Sequence, residues 1–333
     1  MSTVLSARSV TIEAATGAGP VKLVHDVNLD IREGEILGLI GESGSGKTTA
    51  ARAIVGLLER NVRVSSGEIA LRGKTISSPE VDDFRNVRGS EIGMVFQSAS
   101  MSLNPLMKVG KQLKEVVRRH QRHLSRQQIT ERLDQVLRQM GFTDPARVLA
   151  SFPHQLSGGM RQRVSIALAV VTNPAVVIAD ECTSALDVTT QAEVVQLLRS
   201  LTTDSRTAML FVTHDLMLAQ DLCSRIAVMY AGQIIETGDA REVVSNPRHP
   251  YTRALLAAIP TWGEEEIQGI EGSPPRVAAD WQGCRFAPRC PVARDECTRT
   301  RIGWTPTGTR SGARCLIVEE EEPESSGSML DHV

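Results

Sequence analysis

The sequence predicts an α/β fold built on a largely parallel sheet. Short β-branched runs alternate with longer helical patterns from about Val10 to Ser245. A glycine-rich loop, Gly41 to Thr48, stands directly between an apolar run and a helical one. The 333 residues are 41% apolar and 23% charged, the balance of a globular chain with a large core, which excludes disordered, collagenous and fibrous classes. At about 150 residues per domain, this length predicts two domains or one with an appendage.

In chain order, the short apolar runs Glu35 to Ile40, Met94 to Phe96, Val176 to Ala179, Ala208 to Val212 and Ile226 to Tyr230 read as buried strands. Gln233 to Thr237 follows Tyr230 across Ala231 and Gly232, which predicts an antiparallel hairpin at the edge of the sheet. Between Pro105 and Gly141 the pattern becomes helical, with Leu113, Val116, Val117, Leu133, Val136, Leu137 and Met140 at helical spacing. This predicts an inserted helical lobe, whose basic run Arg118 to Arg126 reads as a solvated face. After Ser245, Pro247, Pro250 and Pro260 bracket a short helix, and further prolines among glycines predict sparse regular structure. The acidic run Glu319 to Glu324 reads as a disordered tail.

Composition excludes several functions. A net charge of −2 is wrong for a strongly basic nucleic-acid binder, and 3% aromatics limit any stacking platform, so no nucleic-acid partner is expected. No stretch reaches the roughly eighteen apolar residues of a membrane span, and Met1 to Val10 lacks a secretory signal. The expectation is a cytosolic chain whose membrane role, if any, goes through partners. Six cysteines in such a compartment read as thiols or metal ligands rather than disulfides.

Gly41-Glu42-Ser43-Gly44-Ser45-Gly46-Lys47-Thr48 matches G-x-x-x-x-G-K-[ST] after a strand and before a helix, the context in which that string binds phosphate. Glycines let successive N–H groups converge on phosphate oxygens, the helix N-terminus adds positive potential, and Lys47 adds a full charge. Gly41, Ser43, Gly44, Ser45, Gly46, Lys47, Thr48 and Thr49 form the candidate ATP-binding set, with the Thr48 hydroxyl for magnesium. The loop alone does not distinguish a kinase, a GTPase, a recombinase or a transport ATPase.

The apolar run Val176 to Ala179 ends in Asp180 and Glu181, so both carboxylates emerge at a strand's C-terminal edge beside the loop. Asp180 is placed to hold the magnesium shell and Glu181 to orient and deprotonate the attacking water. Leu156-Ser157-Gly158-Gly159-Met160-Arg161-Gln162-Arg163 precedes an apolar helix and offers a second anion site at a helix start. One triphosphate hardly needs both sites unless the second serves a neighbouring subunit.

Together these residues resemble the nucleotide-binding subunit of an ATP-binding-cassette (ABC) transporter. The resemblance rests on the Walker A loop Gly41 to Thr48, Gln97 after Met94-Val95-Phe96, the signature Leu156 to Gln162 and the Walker B strand ending in Asp180 and Glu181. It continues through Ser184-Ala185-Leu186-Asp187 and through His214 in Val212-Thr213-His214-Asp215, in the family's order. Taken singly, Gln97 reads as a loop amide, His214 as a strand-end histidine and Asp187 as a helix cap; their joint order is what carries the likeness.

The resemblance implies a P-loop NTPase of ABC type, with a RecA-like core, an antiparallel β subdomain and an inserted helical subdomain at about 98–165, spanning 1–245. It also implies a head-to-tail dimer with ATP between one subunit's Walker motifs and the other's Ser157, Gly158, Gly159 and Gln162. Gln97 would then join Thr48 and Asp180 at magnesium and contact the transporter, His214 would hold the γ-phosphate, and Asp187 would communicate across the dimer. The family's adenine-stacking aromatic is replaced, in Ser9-Val10-Thr11-Ile12-Glu13, by Ile12, which leaves apolar packing on the base without π-stacking. Cys182 stands where the family usually has proline.

Cys284, Cys290, Cys297 and Cys315 follow the spacing C-x5-C-x6-C-x17-C in a proline-rich stretch, which suggests a metal. The spacing lacks the C-x2-C knuckles of common zinc ribbons, and free thiols or disulfides are the alternatives. Asn246 to Leu256 and Cys284-Arg285-Phe286-Ala287-Pro288-Arg289-Cys290 narrow the resemblance to the oligopeptide and dipeptide importer branch. That branch implies a four-iron four-sulfur cluster on these cysteines, within an extension at 246–333. It further implies two membrane permeases, an extracytoplasmic binding protein and a second ATPase subunit, in a heterodimer by preference or a homodimer, at the cytoplasmic face of the membrane. The alternatives are a non-transport ABC ATPase of DNA-repair or ribosome-associated type, or an importer of other cargo such as nickel or a sugar.

Overall fold

A computed structural model of the chain describes residues 2–98, 102–259, 269–275 and 281–320. The elements run β1 (Thr3–Thr16), β2 (Gly19–Arg32), β3 (Ile36–Ile40), α1 (Lys47–Val55), β4 (Val62–Leu71), β5 (Lys74–Ser77) and β6 (Ile92–Val95). Helices α2 (Val109–His120), α3 (Arg126–Gln139), α4 (Pro145–Ala150) and α5 (Gly158–Val170) follow. Next come β7 (Val176–Asp180), α6 (Val188–Ser205), β8 (Ala208–Thr213), α7 (Leu216–Leu222), β9 (Arg225–Tyr230) and β10 (Gln233–Asp239). The chain continues with α8 (Ala240–Ser245), α9 (Pro250–Ala257), α10 (Asp295–Arg299), β11 (Thr305–Pro306) and β12 (Gly312–Ala313).

Two sheets form. The smaller is antiparallel, in the order β2-β1-β4-β5, and the larger runs β11-β12-β10-β9-β3-β8-β7-β6. Within the larger sheet, β9, β3, β8, β7 and β6 are parallel. Its strands carry apolar residues on both faces because both faces are covered. On one face Leu37, Leu39, Val176, Ile178, Leu210 and Val212 pack with α1 and the antiparallel sheet. On the other, Ile36, Ile40, Val177, Ala179, Met209 and Phe211 pack with α5, α6, α7 and the helical lobe. The period-2 alternation of each strand thus divides one run of sequence between two cores.

The expected strands are all present, with ends displaced by up to two residues: β6 is Ile92–Val95 rather than Met94 to Phe96, for instance. The helical lobe forms as α2, α3 and α4, with Leu113, Val117, Leu133, Val136, Leu137 and Met140 buried and Val116 partly so. Arg118, Arg119, Arg122 and Arg126 are exposed, as a solvated face should be. Ser125 and Gln128 close a reciprocal capping box that sets the start of α3.

The hairpin of β9 and β10 is antiparallel as expected, but it is not the sheet's edge. β12 pairs with β10 through Glu236 and Thr237, and β11 pairs with β12, so residues near the C-terminus extend the main sheet. An exposed edge strand is a liability that a covering strand removes. Regular structure in the described part of the extension is otherwise short, as the prolines predict. Pro260, residues 321–324 and the side chains of Glu319 and Glu320 lie outside the described residues.

Candidate functional site

Parallel strands all point their C-terminal ends to one side, and the loops there collect the polar residues. The loop after β3 is the phosphate loop, which leads into α1 at Lys47. Two of its glycines are required by space: a Cβ at Gly41 would lie 2.1 Å from the Met229 carbonyl oxygen. Gly46, at φ 101°, is the residue before α1, and a Cβ there would meet Leu23 O at 3.1 Å. Ser43 and Gly44 are exposed at the tip, Ser45 is buried, and Thr49 is half-buried in the first turn of α1.

Lys47 is buried and its Nζ donates to the carbonyls of Gly41 at 2.8 Å and Glu42 at 2.9 Å. Burial lowers its pKa, while the carboxylates of Glu181, Asp180 and Glu42 pull the other way. Thr48 Oγ1 donates to Asp180 Oδ1 at 3.3 Å, which joins the start of α1 to the end of β7. Burial raises the Asp180 carboxyl against that hydrogen bond, and a divalent cation at this position would reverse the penalty.

Only β8 stands between β3 and β7, so the two loops are near neighbours. Glu181 follows β7 with φ 45°, left-handed for a side-chain-bearing residue, a conformation that costs on the order of 1 kcal/mol and recurs at functional sites. Its backbone N–H donates to Val212 O at 2.9 Å on β8, two residues before His214. Gln97, two residues after β6, donates from Nε2 to Glu181 Oε2 at 3.0 Å. His214 Nδ1 lies 3.6 Å from Glu181 Oε1. The sequence-predicted Gln97, Glu181 and His214, spread over more than a hundred residues, therefore meet at one carboxylate, beside Lys47, Thr48 and Asp180.

The signature forms as a helix start. Ser157 caps α5, accepting from the Met160 N–H at 3.2 Å. Gly159 lies so close to Thr190 that a Cβ would meet its Cγ2 at 2.7 Å. Asp187 caps α6, accepting from the Thr190 N–H at 3.0 Å and its hydroxyl at 2.8 Å, and these bonds lower its pKa. Ser157 and Asp187 thus stand on neighbouring helix starts, both exposed. Gln162 is buried, and its Nε2 has no partner among the described residues.

Ile12 is a correction. Its side chain is fully buried, packed with Leu5, Val24 and Ile69 in the core of the antiparallel sheet. β1 changes register with β2 on either side of it and with β4 just before it, and the pleat carries it inward, so it offers no surface to a base. Cys182 is fully buried, its thiol pushed up to about 12 by burial, which leaves it inert.

Cys284, Cys290, Cys297 and Cys315 line one small cavity with Phe286, Ile302 and Ile317. Burial raises the thiols of Cys284, to about 11, and of Cys290 and Cys315; each of these is raised further by one or more of the others. Four thiols are in kind the donor set of a thiolate-bound metal group. No group of three or more His, Cys, Asp or Glu among the described residues is placed to hold a metal ion.

Sequence reasoning missed Tyr251, whose Oη accepts the Glu42 N–H of the phosphate loop at 2.9 Å. Tyr251 is fully buried against Tyr230 and Phe286, with ring centroids 4.5 and 5.4 Å apart. The short helix bracketed by prolines was legible, but what Tyr251 reaches across 209 positions was not.

Fold and site together define a nucleoside triphosphatase of the phosphate-loop class. A family model described as ABC transporter matches residues 24–184, and one described as the C-terminal region of oligopeptide/dipeptide transporters matches residues 235–297. The oligopeptide transport ATP-binding protein OppD of Bacillus subtilis is 43% identical over 293 residues, covering 87% of this chain and 82% of its own. The dipeptide transport ATP-binding protein DppD of Escherichia coli is 39% identical over 295 residues, covering 88% and 90%. Among solved structures, the dimeric ABC transporter cassette MJ0796 superposes with a TM-score of 0.62 at 29% identity, over 71% of this chain and 99% of that one. The cassette cbiO1 of Clostridium perfringens gives 0.64 at 26% identity, over 74% and 92%. The chain belongs to the ATP-binding subunits of ABC transporters, in the oligopeptide/dipeptide branch. It has the ABC-type P-loop NTPase fold, binds ATP with Mg²⁺ as that class does, and hydrolyses it as the ATPase subunit of an importer.

Proposed function

We propose that this chain works as one of two ATPase subunits that power peptide uptake through two membrane permeases fed by an extracytoplasmic binding protein. The observation that carries the proposal is the Glu181 carboxylate, shared between Gln97 and His214 and set beside Lys47, Thr48 and Asp180. In this scheme Glu181 accepts a proton from the attacking water, Gln97 holds one of its oxygens, His214 holds the γ-phosphate, and Lys47 binds the β- and γ-phosphates. Magnesium, held by Thr48, Asp180 and Gln97, would neutralise charge developing on the phosphate oxygens. Ser157, Gly158, Gly159, Gln162 and Asp187 face the ATP of the partner ATPase, a role supported by the exposed helix starts at Ser157 and Asp187 and by the dimeric state of MJ0796. The partner is a related second ATPase, so the pair is a heterodimer at the cytoplasmic face of the membrane. No helix among the described residues is long and apolar enough to cross a bilayer, and binding to the membrane goes through the permeases.

The four cysteines hold a four-iron four-sulfur cluster in this proposal. Tetrahedral zinc at 2.3 Å would space its sulfurs about 3.8 Å apart. What supports the reading is that four cysteines line one cavity, the donor set such a cluster uses. Iron and sulfide analysis with an absorption spectrum on anaerobically purified protein tests it, and zinc alone would refute it. For the transport role, ATP turnover and labelled dipeptide uptake are measured in proteoliposomes holding permeases and binding protein. Full-speed hydrolysis by the lone monomer, unchanged by the other subunits, would overturn the scheme.

A further inference from the structure

Glu42 is an odd residue to find in a loop that must hold a triphosphate. It is the second residue of the phosphate loop, and its carboxylate is near enough to Lys47 to raise the ammonium's pKa. An unpaired carboxylate there would repel the ligand's charge.

The structure supplies a counter-charge from outside the nucleotide-binding motifs. Arg289, 247 positions away and next to Cys290, donates from Nη1 to Glu42 Oε2 at 2.8 Å and from Nη2 to Glu42 Oε1 at 3.2 Å. The fork-to-fork geometry is the strongest form of such a pair. The three remaining N–H groups go to Tyr230 Oη at 3.3 Å, Ile270 O at 3.1 Å and Glu271 O at 2.8 Å, so every donor of the guanidinium is used. The Arg289 side chain is 4% exposed, so the pair is shielded from solvent on one side at least. A second tether runs alongside: Arg285 donates to Ala231 O, and the next residue, Gly232, donates its N–H to Ser45 O at 2.8 Å.

We propose that Arg289 is a positioning residue for ATP: by neutralising Glu42 and pinning its carboxylate, it makes the phosphate loop electrostatically fit for a triphosphate. It touches neither the nucleotide nor the reacting water and acts only through Glu42. Affinity should therefore respond to its loss far more than turnover at saturation. The inference rests on Gly41–Thr48 being the ATP loop. Lys47→Ala serves as the control for that, and a wild-type protein that binds no ATP analogue would overturn the loop's assignment rather than the role of Arg289.

The test is titration of the intact, cofactor-loaded protein with a fluorescent ATP analogue, alongside steady-state turnover. Arg289→Met should raise Kd and KM about tenfold, the scale of one lost charge-assisted contact, with kcat changed by less than about twofold. The pair of substitutions Glu42→Gln and Arg289→Met removes both charges and should return Kd to within about threefold of wild type. Arg289→Lys keeps the charge without the fork and should bind ATP more tightly than the Met variant. An unchanged Kd in Arg289→Met overturns the proposal. So does a double variant as weak as the single one, because a purely structural strut would not be rescued by neutralising Glu42. Should Arg289→Met not fold, the double variant and Arg289→Lys still decide: either one binding more than about tenfold more weakly than wild type overturns the charge account.

Discussion

Replacing Glu181 by Gln removes a base while leaving its neighbourhood nearly intact, which makes the effect on each step separable. The amide is the same size as the carboxylate, and its oxygen still accepts from Gln97 Nε2, now 3.0 Å from Oε2. His214 Nδ1, 3.6 Å from the other oxygen, meets an amide nitrogen instead. Lys47, Thr48 and Asp180 keep their partners, since none of their hydrogen bonds ends on Glu181. One negative charge near Lys47 disappears, so ATP affinity should hold or tighten. Loss of a positioned base costs about 10²- to 10⁴-fold in rate. At 1.36 kcal/mol per tenfold, this is about 3 to 5 kcal/mol of transition-state stabilisation. Acid-quenched single turnovers read the chemical step, and fluorescent-analogue titration reads binding. Turnover within about threefold of wild type, or loss of binding in step with turnover, would refute the assignment of Glu181 as the base.

Two further outcomes are expected. Tyr251→Phe keeps the ring packed on Tyr230 and Phe286 but leaves the Glu42 N–H without its acceptor. At a net cost of about 1 kcal/mol, the ATP Kd should rise about fivefold, and an unchanged Kd would show the bond to be immaterial to binding. His25 is lowered to about 4, first by burial and then by Arg285 and Lys22, with Asp26 opposing. The unfolded chain protonates this group below about 6.5 and the folded one does not, so its contribution to stability is complete above that pH and is lost as pH falls toward 4. Melting temperatures across that window should fall less steeply in His25→Gln than in wild type; parallel curves would place the acid sensitivity elsewhere.

The placement of the candidate site residues was largely legible because those residues obey local rules. Gly41–Thr48 must sit between strand and helix, Asp180 and Glu181 must end a buried strand, and Ser157 and Asp187 must begin helices. Such positions are fixed by hydrogen-bonding needs and steric allowance within a few residues. Ile12 shows where locality fails. Position relative to the Walker loop placed it near the base, yet side-chain direction on β1 depends on bulges that shift the pleat, and register is set by β2 and β4 rather than by β1 itself. Long-range pairs were equally hidden: nothing near Glu236 in sequence announces that Ala313 will pair with it.

Those hidden pairs bear on what the C-terminal extension is. An appendage that merely accompanied the ATPase would meet it through an exposed, polar surface. Here Phe286 and Tyr251 are fully buried in the same apolar core as Phe211 and Val228 of the central sheet. Arg310 donates to Asp30 and to Glu35 Oε2 at 2.9 Å, and Arg225 of β9 binds the other oxygen of Glu35 at 2.9 Å, so one buried carboxylate is shared between the central sheet and the extension. Removing either arginine would strip one oxygen of Glu35 of its charged partner at 6% exposure, a costly change. The extension therefore packs into the ATPase core rather than decorating it. Its cysteine-bearing turn, Cys284 to Cys290, carries both arginines that reach the phosphate loop, Arg289 directly and Arg285 through Ala231 and Gly232. That turn is thereby hydrogen-bonded to the phosphate loop at Glu42 and, through Ala231 and Gly232, at Ser45.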